Sequence, residues 1–171
     1  MIPYSRQNIT EEDITAVSNV LASDFLTQGP EVPAFEQSLK DKFLVKYAVA
    51  CSSGTSALHL AYASLGVNSK TVGIVPAITF AATANAFRYL GAKVQFCDID
   101  PCTGLICLNA LESILKNLKP NTTGCPVVIS PVSFAGAVAP LEEIQRICSG
   151  TGFRVVEDAS HSPGAFKGSG D

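Results

Sequence analysis

The sequence is poor in charge and has no excess of basic residues. Charged residues make up 16% of its 171 residues and the formal net charge is −3, so it lacks the basic surface that nucleic acids and anionic membranes attract. No stretch reaches the uninterrupted apolar length of a membrane span. The opening MIPYSRQNIT has no apolar run typical of a secretion signal. We therefore expect a cytoplasmic protein with no nucleic-acid or membrane partner.

Histidine is also scarce, and cysteine is not arranged for metal binding. The chain has 2 histidines and 6 cysteines, and no Cys-x-x-Cys occurs, so we expect no zinc or other metal site. Three of the cysteines fall in apolar stretches. Without a secretion signal, buried reduced thiols are favoured over disulfides. The cysteines are Cys51, Cys97, Cys102, Cys107, Cys125 and Cys148.

What the sequence does contain is a regular alternation of short apolar runs with helix-like segments. Hydrophobic residues make up 47% of the chain, enough for a globular core. The apolar runs predict buried strands at 47–51, 72–76, 93–97, 126–130 and 153–157. Helices are predicted near 55–66, 80–90, 109–118 and 140–148. This alternation predicts an α/β fold with a mostly parallel sheet covered on both faces.

Two further helices are predicted ahead of the first strand. Thr10 with Asp13 has the spacing of a helix N-cap, and an apolar stripe follows it. A second stripe is opened by Pro30 and Pro33, residues that suit a helix start. The two stripes consist of Ile14, Val17 and Leu21, and of Val32, Phe35, Leu39 and Phe43.

Parallel sheets bind ligands at the carboxyl ends of their strands, so the residues after each apolar run are candidates for a site. After 47–51, Gly54 would permit a turn and Thr55 with Ser56 would open a helix, whose free N–H groups and hydroxyls suit a phosphate. An ordinary N-cap is the commoner origin of such a pattern taken alone. After 72–76, Phe80 could lie flat on a planar ligand or belong to the core.

Acidic residues follow two other predicted strands. Asp98 and Asp100 could hold a divalent metal ion, but Pro101 and Gly104 favour a solvated turn. Asp158 follows 153–157, and a carboxylate at a buried strand end is costly unless it is paired. A cationic ring nitrogen of a cofactor would be a suitable partner.

His161 could contact the same ligand as Asp158 or cap a turn. A Ser-His-Asp hydrolase built from Asp158, Ser160 and His161 is disfavoured, because triad members normally come from separate loops and no G-x-S-x-G motif is present.

The order of these signals is more informative than any one of them. A phosphate cradle, an aromatic ring and an acid after successive strands describe a holder for pyridoxal 5'-phosphate (PLP). The acid would keep the ring nitrogen protonated, so that the ring can act as an electron sink. On this interpretation Asp158 meets the cofactor, and its neighbour Glu157 is structural.

The sequence also resembles a known family, the DegT/StrS group of fold-type I, PLP-dependent nucleotide-sugar aminotransferases. The motifs that carry the resemblance are IPYSRQNI, SDFLTQGPEVPAFE, SSGTSAL, ITFAATANA, DIDPCTG and VVEDASHSPGA. The resemblance implies that Thr55 and Ser56 bind the phosphate, Phe80 stacks on the ring and Asp158 pairs with its nitrogen. It also implies that His161 lies near the cofactor and that Thr27, Gln28 and Gly29 form the substrate-side loop, although a polar helix connection would look the same.

The opening IPYSRQ and the SDFLTQGP stretch look most like the subgroup that makes pseudaminic-acid precursors. Those enzymes move an amino group from glutamate to C4 of a UDP-linked 4-keto-6-deoxy sugar. Enzymes that act on other nucleotide-linked keto sugars share most of these motifs and stay open as an alternative. The resemblance further implies a homodimer with its active site at the subunit interface.

Two departures from the family pattern accompany the resemblance. Ser133, in VSFAG, stands where the family commonly has histidine. The family's Schiff-base lysine lies beyond the end of this chain, and Lys167 does not match its motif, so no catalytic residue is assigned. We therefore expect residues 1–171 to be the N-terminal part of the PLP-binding large domain, without the Schiff-base lysine segment and the C-terminal small domain. A PLP-dependent sugar dehydratase, which has histidine in place of that lysine, and a non-catalytic fragment are the other interpretations.

Overall fold

The computed structural model describes residues 6–118 and 127–165. The chain divides into two compact units, Met1–Ala50 and Cys51–Asp171. None of the helices in the described ranges is long and apolar enough to cross a membrane.

The N-terminal unit contains two helices, α1 (Glu11–Leu21) and α2 (Glu31–Phe43). The predicted cap of α1 is confirmed. The Thr10 N–H donates to the Asp13 carboxylate at 2.8 Å, and the Asp13 N–H donates to Thr10 Oγ1 at 3.3 Å. The Thr10 N–H lowers the pKa of Asp13 most, and the Thr10 hydroxyl, which donates to the same carboxylate at 2.9 Å, lowers it further. The apolar stripes were predicted on the correct helices, yet neither helix has a fully buried residue.

The predicted strand at 47–51 is wrong. The segment has no strand geometry, and Tyr47 and Val49 are 75% and 79% exposed. A strand forms only with a neighbour that completes its ladder, and no described residue pairs with this run. Instead, the Ala50 N–H donates to the Glu36 carboxylate at 2.8 Å.

The second unit contains the predicted parallel sheet. Its strands are β1 (Val72–Pro76), β2 (Lys93–Cys97), β3 (Val127–Ile129) and β4 (Arg154–Val155). They lie in the order β2-β1-β3-β4 and all neighbouring pairs are parallel. The helices are α3 (Gly54–Ser64), α4 (Ala81–Tyr89), α5 (Leu108–Asn117) and α6 (Leu141–Cys148), with a 3₁₀ turn at Phe134–Gly136.

Side chains from alternate strand positions enter two separate cores, because successive residues of a strand point to opposite faces. Ile74 of β1 packs into the core formed with α5 and α6, and its neighbour Val75 packs into the core formed with α3 and α4. The sheet is therefore covered on both faces, as the alternation predicted.

The core with α3 and α4 requires a glycine in β1. A Cβ at Gly73 would lie 2.6 Å from the Phe87 ring. That ring stacks on Tyr62 of α3 with centroids 3.8 Å apart, so the aromatic pair fills the space against the strand.

The predicted turn at Asp98–Gly104 is confirmed. The Asp100 carboxylate accepts from the N–H groups of Cys102 and Thr103 at 2.8 and 3.2 Å. Gly104 has φ 72° and donates to the Asp100 carbonyl at 2.8 Å. The Asp100 side chain thus stabilises the turn.

The described cysteines are free thiols. Cys97 and Cys148 are buried as predicted, whereas Cys51 and Cys102 are exposed and Cys107 is half-buried. Burial raises the pKa of Cys148. Burial also raises the pKa of Cys97 to about 11, and the nearby Cys107 and Asp98 add smaller increases. Cys125 lies outside the described residues.

Candidate functional site

A cavity of about 290 Å³ opens at the carboxyl ends of the strands, where helices α3 and α4 begin and the chain turns after β4. Predicted cofactor residues from three separate parts of the sequence line this cavity. The lining residues are Gly54, Thr55, Leu58, Phe80, Ala82, Asp158, Ser160 and His161. Ser56 is the predicted cofactor residue that does not line it.

The first turn of α3 explains why Thr55 and Ser56 differ. Ser53 caps the helix by accepting from the Ser56 N–H at 3.2 Å. The Ser56 hydroxyl lies 3.1 and 3.0 Å from the hydroxyls of Ser52 and Ser53, so it belongs to the cap. In the described part of the chain, the N–H groups of Gly54 and Thr55 have no hydrogen-bond partner. These two donors lie at the positive end of the helix dipole and suit an anion.

Gly54 does not have the role that the sequence suggested. It is the first residue of α3 and its φ is not positive. A Cβ here would lie 3.4 Å from Ser160 Oγ, an ordinary van der Waals contact, so the start of α3 lies close to the turn after β4 without requiring glycine.

Phe80 occupies the predicted corner between β1 and α4. It is the N-cap residue of α4, with extended backbone, and its side chain is 74% exposed. The alternative placement in the core is therefore wrong. The ring is available to a planar ligand in the cavity.

Asp158 is the buried charged group of the site, with 5% of its surface exposed. Its Oδ2 accepts from Thr83 Oγ1 at 2.6 Å, and its Oδ1 accepts from the N–H and hydroxyl of Ser160 at 3.2 and 2.6 Å. No lysine, arginine or histidine within the described ranges forms an ion pair with it. Hydroxyls and one N–H thus replace its hydration, and its negative charge has no cationic partner in this part of the protein.

The backbone holds Asp158 beside the loop that follows β3. Strand β4 ends at Val155, three residues before the acid. A parallel bridge between Val132 and Asp158 nevertheless continues the pairing, and the Asp158 N–H donates to the Pro131 carbonyl at 2.9 Å. The carboxylate is therefore delivered to the end of the sheet, as predicted.

Sequence reasoning missed two partners of Asp158. Ser160 was considered only in the disfavoured triad, although a serine two residues after an aspartate is a common turn pattern that could have identified it. Thr83 lies 75 residues away in the chain, and no local pattern indicates that contact.

His161 lies at the cavity but makes no bond that would build the triad. Its Nδ1 accepts from the Ala135 N–H at 3.4 Å, and its ring centroid lies 6.0 Å from that of Phe134. Ser160 donates to Asp158 directly. In the neutral form, acceptance at Nδ1 places the His161 proton on Nε2.

A buried tyrosine supports the site from behind. The Tyr62 hydroxyl donates to Ser130 Oγ at 2.7 Å and lies 3.4 Å from the Thr83 carbonyl. Ser130 in turn donates to the Val156 carbonyl at 2.8 Å. Burial raises the pKa of Tyr62 well above its ordinary value, the Ser130 bond opposes that rise, and the charge of Asp158 adds to it. Tyr62 therefore stays a hydrogen-bond donor at neutral pH.

Ser133, which departs from the family pattern, is fully buried beside Glu157. Its hydroxyl donates to Glu157 Oε1 and accepts from the Ala139 N–H, the latter at 3.0 Å. Its own N–H donates to the Asp158 carbonyl at 3.1 Å. Glu157 thus has a structural partner, in agreement with its predicted structural role.

The remaining predicted residues lie outside this cavity's unit or outside the described ranges. Thr27, Gln28 and Gly29 belong to the N-terminal unit. Gln28 has φ 53°, and a Cβ at Gly29 would lie 2.8 Å from Phe25 Cβ, so this loop is tightly folded. Its predicted contact with substrate stays a prediction. Lys167 lies outside the described residues.

Comparison with solved structures defines the class of protein. A GDP-4-keto-6-deoxymannose-3-dehydratase with a trapped PLP-glutamate geminal diamine superposes with a TM-score of 0.83 at 28% identity, over 98% of this chain and 43% of that one. A DegT DnrJ EryC1 StrS aminotransferase from Brucella abortus superposes with a TM-score of 0.80 at 33% identity, over 87% of this chain and 40% of that one. The chain has the α/β fold of the large domain of PLP-dependent transferases.

The sequence comparison is more specific. The pattern of the DegT/DnrJ/EryC1/StrS aminotransferase family matches residues 7–169, and the chain belongs to this family. It is 42% identical over 166 residues to the UDP-4-amino-4,6-dideoxy-N-acetyl-beta-L-altrosamine transaminase of Campylobacter jejuni subsp. jejuni. That alignment covers 97% of this chain and 43% of the relative, so the chain spans less than half the length of this relative.

Proposed function

We propose that the protein carrying this chain is a PLP-dependent aminotransferase that acts on a nucleotide-linked keto sugar. The observation that carries the proposal is the buried carboxylate of Asp158, which forms no ion pair within the described ranges, at a cavity that also contains an exposed aromatic ring and a helix N-terminus. Family membership supports the reaction class.

The lining residues fit the three chemical parts of PLP. The N–H groups of Gly54 and Thr55, with the Thr55 hydroxyl, suit the phosphate. The Phe80 ring suits the flat pyridine face. Asp158 suits a protonated ring nitrogen, because a buried negative charge that has only hydrogen-bond donors around it is stabilised by a nearby cation. Ser56 remains part of the proposed phosphate site, and its hydroxyl also lies in the cap of α3.

Each residue then has a distinct part in the chemistry. Bound PLP supplies an electron sink for the bonds at the substrate carbon. Asp158 holds the proton on the ring nitrogen, Phe80 fixes the ring plane and Thr55 anchors the phosphate. His161 lines the same cavity and is proposed to lie near the cofactor.

The substrate that we propose is a UDP-linked 4-keto-6-deoxy sugar, aminated at C4 with glutamate as the amino donor. The 42% identity to the Campylobacter jejuni transaminase supports it, as do the IPYSRQ and SDFLTQGP motifs. Thr27, Gln28 and Gly29 would form the substrate-side loop. A pseudaminic-acid or related surface-glycan precursor is then the product.

A sugar dehydratase is the second candidate, favoured by the likeness to the GDP-4-keto-6-deoxymannose-3-dehydratase. The two reactions share the cofactor site and differ at one position, which is the Schiff-base lysine in the transaminases and a histidine, unable to form a Schiff base, in the dehydratases. We propose that this residue and a small C-terminal domain follow residues 1–171 in the complete protein. A cytoplasmic homodimer is part of the same proposal, and light scattering that shows an active monomer would contradict it.

The test is an assay of the complete protein with PLP, glutamate and one keto sugar at a time. Formation of 2-oxoglutarate and of a 4-amino sugar from the UDP-linked substrate supports the proposal. Matched reactions with GDP- and dTDP-linked keto sugars test the nucleotide. Loss of a hydroxyl from the sugar without amination would instead establish the dehydratase.

A further inference from the structure

Two threonine hydroxyls form a hydrogen-bonded chain that ends on Asp158. Thr79 Oγ1 lies 2.7 Å from Thr83 Oγ1, and Thr83 Oγ1 lies 2.6 Å from Asp158 Oδ2. Thr83 is fully buried. Its hydroxyl therefore bonds to these two neighbours and has no contact with solvent.

The direction of this chain follows from counting hydrogens. An ionised carboxylate only accepts, and a hydroxyl has one hydrogen to donate. Thr83 must therefore donate to Asp158, which leaves it able only to accept from Thr79. The hydrogen of Thr79 is then directed to Thr83 rather than to the Phe80 carbonyl, which is more distant at 3.3 Å.

The position of Thr83 is set by the core and not by the cavity. It lies in the first turn of α4, next to Ala82 and one turn before Phe87, both of which belong to the core shared with α3. The Tyr62 hydroxyl lies 3.4 Å from the Thr83 carbonyl and ties the same turn to β3 through Ser130. The donor that meets Asp158 thus has a rigid support.

Asp158 is consequently held at both oxygens by two different elements. Helix α4 supplies Thr83 to Oδ2, and the turn after β4 supplies Ser160 to Oδ1. Two anchors on one carboxylate restrict rotation of its plane, whereas Ser160 alone, two residues away in the chain, would move together with it.

We propose that Thr83 is a positioning residue that orients the Asp158 carboxylate toward the protonated ring nitrogen of a pyridine cofactor, and that Thr79 keeps the Thr83 hydroxyl turned to Asp158. The proposal rests on the proposed function, since it names the group that sets the geometry of that same site. Thr83 touches Asp158 and acts on the cofactor through it.

The test compares three substitutions in the complete protein by titration with PLP, followed by absorbance. Thr83→Val keeps the shape and removes the donor, and we expect it to weaken PLP binding roughly tenfold, since hydrogen bonds to charged groups are among the stronger ones. Thr83→Ser restores the hydroxyl and should bind within about threefold of the wild type. Thr79→Val removes only the second donor and should have an effect between these two.

Thr71→Val is the matched control, because it removes the hydroxyl of another fully buried threonine, which accepts from the Asn68 N–H at 3.0 Å and has no bond to Asp158. Both Thr83→Val and Thr71→Val should lower the melting temperature of the cofactor-free protein, but only Thr83→Val should weaken PLP binding. Equal weakening by the two variants would assign Thr83 a merely structural role and overturn the proposal. If Thr83→Val does not fold, unchanged PLP binding by Thr79→Val overturns it.

Crystal structures of the cofactor-free wild type and Thr83→Val separate this inference from the proposed function. We expect the Asp158 carboxylate to be rotated in the variant, and an unchanged carboxylate would overturn the positioning role even if PLP binds. A wild type that binds no PLP refutes the proposed function, while the orientation of Asp158 in the two crystals still decides what Thr83 does.

Discussion

At the scale of single residues, the site is organised around one unbalanced charge. Asp158 is buried with three hydrogen-bond donors and, within the described ranges, no cation. Donors of this kind replace water but leave the charge in place. A cationic ligand therefore gains more from this carboxylate than it would from an exposed one.

Replacing Asp158 with asparagine should separate binding from folding. Asp158→Asn keeps the size of the side chain, so we expect the fold to persist while PLP binding weakens at least tenfold and transamination is nearly abolished. Absorbance titration and an assay with glutamate measure the two effects. Asp100→Asn, in the turn after β2, is the control and should leave both unchanged. Wild-type rates in Asp158→Asn would refute the assigned role.

The cysteines allow a second prediction at this scale. We expect iodoacetamide to alkylate the exposed Cys51 and Cys102 of the native protein, and Cys97 and Cys148 only after denaturation. The pKa of Cys97 rises from its ordinary 9.0 to about 11. Its contribution to stability is therefore complete below pH 9.0 and is lost as the pH rises toward 11, because the unfolded thiol ionises first. Mass spectrometry of the alkylated peptides checks the first statement, and the midpoint of urea denaturation measured across this pH range checks the second.

At the scale of elements, the loop after β3 and the turn after β4 are joined into one unit. Backbone bonds connect Pro131 to Asp158 and Ser133 to Asp158, and the Ser133 hydroxyl connects Glu157 to Ala139. These contacts hold the segment that contains Asp158, so the loop acts on the site without lining the cavity.

Ser133→Ala should weaken the junction between the loop after β3 and the turn after β4, and so lower the stability of the protein. The substitution leaves the buried Ala139 N–H without its acceptor, which costs about 1–3 kcal/mol, and removes the donor of the half-buried Glu157. We expect a lower midpoint of urea denaturation with an unchanged slope. Ser113→Ala, at an exposed position of α5, is the control. A Ser133→Ala variant as stable as the wild type would show that the junction does not depend on this hydroxyl.

At the scale of the whole molecule, no lysine of the described residues lines the candidate cofactor cavity. The apolar stripes of α1 and α2 also include exposed residues such as Val17 and Phe35. Both features agree with the proposal that these residues form part of a longer enzyme.

The 171-residue chain by itself should therefore bind PLP only weakly and without a covalent bond. Transamination requires an amine that binds the cofactor and moves a proton, and we expect this chain to be inactive. The measurement is mass spectrometry after mixing with PLP and reduction with borohydride, with free lysine as a reactive control. A stoichiometric cofactor adduct on one lysine, together with amination of a UDP-4-keto sugar, would contradict the prediction.

The sequence by itself determined what depends on local pattern. Apolar periodicity located the helices and the four strands of the sheet, and the parallel order implied that Thr55, Phe80 and Asp158 meet at one edge. Residues 47–51 have the same apolar pattern but form no strand, because a strand depends on a partner that its own residues do not specify. The bonds of Ser56 to Ser52 and Ser53 are likewise local, and the sequence had left such a cap open. The tertiary structure alone decided that Thr83, 75 residues from Asp158, donates to it, since that contact depends on the path of the chain through the core.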